Sequence, residues 1–173
     1  MRISIAGFVL ACTTVTPLFC QAGPEAEPLS SKDRELKACG TKATEVKYVA
    51  DTDKKSHPMG EQTAGKVLIY VLRPGLYGNK IQTKLAADGE WKGVNRGNNY
   101  FFFTLEPGLH YFCSQAENRS VLVLTTEPGK TYYLEQDIHT GVMKARNDLG
   151  IIGDAEGVKR LAKLHPSTWE VKK

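Results

Sequence analysis

A chain of 173 residues, 41% hydrophobic and 24% charged, has ordinary globular composition and is long enough for one domain with a real core. The formal charge of +4 is mild and its Lys and Arg residues are scattered, which argues against a basic stripe for nucleic acid.

The N-terminus reads as a secretory signal peptide over residues 1–22. Arg2 supplies the positive start, Ile3 to Val15 is mostly apolar, Pro17 breaks any helix, and Cys20-Gln21-Ala22 places small residues around a cleavage site. The apolar run is shorter than the ~20 residues of a spanning helix, so no transmembrane segment is expected in the mature chain. Export to the periplasm or the medium follows, with a chain starting at Gly23. Lipid anchoring through Cys12, after Val9-Leu10-Ala11, is the alternative. Of the four cysteines, Cys12 and Cys20 leave with the signal. Cys39 and Cys113 remain as an even pair in an oxidising compartment, where a disulfide is expected, two separate buried thiols being the other reading.

Residues 23–38, rich in Pro, Glu, Ser and Lys, are expected to be a flexible leader. A single domain is expected over 39–165, followed by a tail over 166–173. Thr44 to Ala50 fits a short strand and Asp51 to Gly65 a loop. Lys66-Val67-Leu68-Ile69-Tyr70-Val71-Leu72 is the first strong strand, being β-branched and too short for a good helix. Ile81 to Ala87 and Glu90 to Val94 flank Asp88-Gly89, a strong hairpin signal because both residues tolerate positive φ. Asn95 to Asn98 turns into the aromatic strand around Tyr100-Phe101-Phe102-Phe103, whose unbroken apolar run predicts cover on both faces. Glu106-Pro107-Gly108-Leu109 fits a type II turn, so Asn98 to Cys113 is expected to be a central hairpin. Ser120 to Thr126, a second turn at Glu127-Pro128-Gly129 and Lys130 to Ile138 repeat that chemistry. Strand character fades after Ala145. Asp154 as N-cap, with Val158, Leu161, Ala162 and His165 at helical spacing before Pro166, predicts a short C-terminal helix weakened by Gly157. The whole predicts a mostly β antiparallel sandwich, immunoglobulin-like or barrel-like, with that helix.

Lys66 to Pro74, Asp88-Gly89, Gly97 to Phe103, Glu106 to His110 and Glu127 to Tyr133 carry a resemblance, extending roughly over Cys39 to Leu164. The chain resembles bacterial proteins of the domain of unknown function 2846 family. The resemblance implies a small exported or lipid-anchored β-domain. It implies no established activity and transfers no catalytic residue. The missing lipobox departs from the lipid-anchored members.

No nucleophile elbow, phosphate loop or His-Glu-x-x-His motif is present. His57, His110, His139 and His165 are isolated in sequence, so no metal site, cofactor or catalytic set is expected. The loops holding Tyr77, Trp91, Arg96 and Tyr100 flank one sheet, and aromatic faces beside a guanidinium suit a glycan or peptide. The competing reading makes Trp91 and Tyr100 cross-strand core partners and Arg96 a solvated charge. The function expected is a non-enzymatic envelope module binding a protein or glycan; the alternative is a periplasmic hydrolase with dispersed catalytic residues.

Overall fold

A computed structural model describes residues 29–41, 46–75, 78–139 and 146–172. The signal peptide, the start of the leader and Tyr77 therefore lie outside the described residues. The elements run α1 (Ser31–Cys39), β1 (Tyr48–Thr52), β2 (Val67–Arg73), β3 (Thr83–Ala87), β4 (Glu90–Asn95), β5 (Asn99–Leu105), β6 (Gly108–Gln115), β7 (Arg119–Thr126), β8 (Thr131–His139), β9 (Arg146–Ile152), α2 (Asp154–Leu161) and β10 (His165–Val171). A six-stranded sheet, β1-β10-β5-β2-β8-β9, packs on a four-stranded sheet, β4-β3-β6-β7, in a mostly β sandwich. The larger sheet is mixed and not purely antiparallel, because β5 runs parallel to β10 and β2 parallel to β8.

β2 forms the spine of the larger sheet, and every residue in it is buried. Val67, Ile69 and Val71 face the space between the sheets with Leu85, Phe101, Phe112 and Leu134. Leu68, Tyr70 and Leu72 face the other way, under Leu161 and Leu164. β5 alternates in the same manner: Phe101 joins the inter-sheet core, while Tyr100 and Phe102 lie under α2 and the segment before β2. The predicted double cover of the aromatic strand is thus present. Part of it is supplied by the 53–65 loop, whose Pro58 carbonyl accepts the Tyr100 hydroxyl at 2.7 Å and whose Gly60 N–H donates to the Tyr70 hydroxyl at 2.8 Å.

The central hairpin is corrected. β5 pairs with β2 and β10, whereas β6 pairs with β3 and β7, so Glu106-Pro107 carries the chain from one sheet to the other. Glu127-Pro128-Gly129 does the same between β7 and β8. The reason is burial: an aromatic run that needs cover on both faces is placed beside the equally apolar β2. Asp88-Gly89 is a true hairpin turn, with φ of 53° and 80°.

Three further expectations change. The leader holds α1, capped by the Ser30 side chain accepting from the Asp33 N–H and anchored by buried Ala38 and Cys39. The fading strand is β9, which alternates buried Asn147 and Leu149 with exposed neighbours. The tail is β10, paired with β1 from Ser167 to Val171. The ordered domain therefore begins before Cys39 and runs past His165. Cys39 and Cys113 form a disulfide, Cα–Cα 5.0 Å, that ties α1 to β6.

Candidate functional site

Four chain segments meet at the end of the sandwich where β2 stops and β3 starts. They are the end of β1 with Lys54, the loop through Asn79 and Lys80, the β4–β5 turn Arg96-Gly97-Asn98, and His165 at the start of β10. Together they line a cleft of about 390 Å³.

Buried polar side chains lock these segments together. Arg73 closes β2 with its side chain buried, and its guanidinium donates to the carbonyls of Gly78 and Ile81, fixing the loop that carries Lys80. Burial holds the Arg73 pKa down at about 10, while Asp137 pulls the other way. The Arg73 carbonyl accepts the Asn98 N–H at 2.9 Å, and the Gly97 N–H donates to the Asn79 carbonyl at 3.1 Å. Gly97 has to be glycine: a Cβ there would lie 2.6 Å from the Asn79 Cα. On the other wall the Asn99 amide donates to the His165 carbonyl at 3.1 Å, and the Thr52 hydroxyl bonds the Asn99 side-chain oxygen at 3.0 Å.

Below the cleft, Gln136 of β8 bridges the two sheets. Its Oε1 accepts from the Thr83 hydroxyl and the Asn95 amide, both at 3.1 Å, and its Nε2 donates to the Ser114 hydroxyl at 2.9 Å. Both ends of the Gln136 amide are paired, while the Asn95 Oδ1 is buried without a partner among the described residues; the network resists rearrangement because breaking one bond strands further buried groups without water.

The rim carries charge. Lys54, Lys80 and Arg96 make no hydrogen bond or ion pair among the described residues, and Asp51, on the same cleft, lies within ion-pair distance of none of them. The Asp51 carboxylate instead accepts the Thr52 N–H at 2.7 Å. Asp51 and His165 are likewise not paired with each other. A cleft with three unsatisfied cations, one carboxylate and polar walls is suited to holding an anion.

Of the residues singled out in sequence, Arg96 lines this cleft. Tyr100 does not, since its side chain is fully buried under the larger sheet's cover and its ring lies 5.0 Å from that of His57. Trp91 stacks on Tyr48 at 6.1 Å and meets Trp169 edge-on at 5.6 Å, away from the cleft lining. Both are cross-strand and inter-sheet packing residues, so the stacking platform expected for a sugar is not assembled by them. Lys54, Asn79, Lys80 and Asp51 escaped sequence reasoning, and His165 was set aside as isolated, because they come from separate segments with no shared motif.

The remaining histidines are placed elsewhere. His110 sets Nδ1 2.6 Å from the Asp88 carboxylate and Nε2 2.7 Å from the Glu106 carbonyl, clamping two turns. His139 lies 3.1 Å from Asp148 on the open face of the β8–β9 ladder. Among the described residues, no three His, Cys, Asp or Glu side chains are grouped to hold a metal ion, and no helix is long and apolar enough to cross a membrane.

No protein-family profile matches the chain, and no solved structure matches it. It is similar to a protein of Haemophilus influenzae described as an uncharacterized protein, 26% identical over 131 residues that span 75% of this chain and 76% of that one.

Proposed function

We propose that the protein is an exported, non-enzymatic module of the bacterial envelope, related to the domain of unknown function 2846 family, that binds an anionic partner in the end cleft. The observation that carries the reading is the convergence of Lys54, Lys80 and Arg96, unpaired among the described residues, on one cleft held by a buried polar frame. Export is supported by the sequence pattern of residues 1–22 and by the Cys39–Cys113 disulfide, which suits an oxidising compartment.

Calorimetric titration with tripolyphosphate at low salt tests the cleft. Binding is expected in the full chain and is expected to weaken about tenfold, or 1.4 kcal/mol, in Arg96→Ala and in the Lys54→Ala/Lys80→Ala double variant. Lys159→Ala, on α2, is expected to bind as the parent does. Equal affinity in all four proteins overturns the site.

The hydrolase reading has one specific support, the presence of Asp51 and His165 on the same cleft. They are not paired, and among the described residues no Ser or Cys lines the cleft beside them, so the binding reading is preferred. Turnover abolished by Asp51→Asn would reverse that preference.

A further inference from the structure

β1 is an edge strand of the larger sheet, with β10 on one side and no strand among the described residues on the other. The register with β10 and the bond from the Asp53 N–H to the Pro166 carbonyl assign the odd-numbered residues to the ladder. The backbone N–H and C=O groups of Tyr48 and Ala50 therefore point away from β10. An open row of this kind is a template for one more strand. β1 also ends at the cationic cleft: Asp51 lines it, and Asp51 equally lines a groove with Val49, Thr168, Trp169 and Glu170 along the ribbon. Val49 is 52% exposed, an apolar side chain left uncovered by the described residues.

We infer that the anionic partner of the cleft is an extended acidic peptide that pairs with the free edge of β1 and places its acidic end against Arg96 and Lys80. Backbone hydrogen bonds to Tyr48 and Ala50 supply affinity independent of sequence, Val49 receives an apolar side chain, and the cations select the charged end. The inference rests on the anion-binding reading of the cleft and adds the chemical class of the ligand.

The test uses the full chain and a fluorescein-labelled peptide, Ser-Val-Thr-Val-Ser-Glu-Glu, together with its reversed sequence, since pairing in either direction can bring the acidic end to the cleft. At least one is expected to bind, to raise hydrogen-exchange protection at the Ala50 N–H, and to lose about tenfold in affinity to Arg96→Ala. The same peptide N-methylated at alternate amides leaves the protein untouched and removes the strand-pairing donors, so it is expected to bind about tenfold more weakly. Ala50→Pro, which removes an outward N–H at an edge where proline is tolerated, is expected to act similarly. If the N-methylated peptide binds as well as the parent, or if neither peptide binds while tripolyphosphate still does, strand pairing is overturned and the anion cleft stands. If tripolyphosphate and peptide both fail, the cleft reading falls with it.

Discussion

Gly157 shows how a single residue's environment reverses its propensity. In isolation a helical glycine costs about 1 kcal/mol relative to alanine, yet a Cβ at Gly157 would lie 2.2 Å from the Tyr133 ring. The helix approaches the sheet that closely only because the position is bare. Gly157→Ala is therefore expected to destabilise the protein by about 1–3 kcal/mol through overpacking, seen as a lower urea midpoint; a raised midpoint would refute the contact. Gln136 makes the complementary case. Gln136→Leu removes the partners of Thr83, Asn95 and Ser114 at once, and an expected loss of about 3 kcal/mol follows from stranding buried polar groups.

Tyr100 connects burial to pH. Its pKa is pushed up to about 12, by burial first and by Tyr70 and Asp53 after it. A tyrosine whose folded pKa lies above its unfolded value of about 10 ionises more easily in the unfolded chain. Its contribution to stability is full below about pH 10 and is lost as pH rises towards 12. The urea midpoint of the parent is expected to fall more steeply across that window than that of Tyr100→Phe. Parallel slopes would show that Tyr100 does not titrate late.

At the scale of elements, two helices seal faces that the sheets leave open. α2 presents Leu161, and the turn that follows it Leu164, to Leu68, Tyr70, Leu72 and Tyr100. With Leu161 buried, Leu161→Ala is expected to cost about 2–4 kcal/mol, measured by denaturant titration. α1 covers Ala86, Tyr111 and Val121 on the smaller sheet, and Lys37 sits 4.4 Å over the Tyr111 ring. Cys39 and Cys113 close a loop of 74 residues, so reduction is expected to remove about 4 kcal/mol on the chain-entropy account and to free α1 from the sheet. Unchanged melting after complete reduction would contradict this.

At the scale of the molecule, side chains stitch the sandwich along its flanks. The Ser120 hydroxyl accepts the Leu149 N–H at 3.0 Å and the Asn118 side chain accepts the Asn147 N–H at 2.7 Å, so the outward edge of β9 is occupied by β7. On the opposite flank the Ser167 hydroxyl donates to the Val94 carbonyl at 2.6 Å. β1 carries no such stitch among the described residues, which is why the open edge falls there. Asn118→Ala/Ser120→Ala should free the β9 edge and promote self-association, visible by light scattering as a concentration-dependent rise in mass.

Local chemistry alone determined much of this protein. The β-branched run of β2 and the Asp88-Gly89 hairpin each follow from interactions within a few residues, as does the need to cover Tyr100 to Phe103. A short helix was legible as well, but its expected apolar stripe was not: Leu161 is buried, whereas Val158 is 56% exposed, His165 starts β10, and the N-cap is Gly153 and not Asp154. Pairing of Cys39 with Cys113 was legible because only an even pair remains once the cysteines of the expected signal peptide are set aside. Tertiary structure decided the rest. A Glu-Pro-Gly turn bends the chain equally well into a hairpin or across to a second sheet, and only the burial offered by β2 selects the crossing. α1, β9 and β10 look polar in sequence because each buries only two residues, and each is held by a partner distant in the chain. The cleft is the extreme case: Lys54, Lys80, Arg96 and His165 share no periodicity, and they converge because buried Arg73, Asn99 and Gln136 fix the segments that carry or support them.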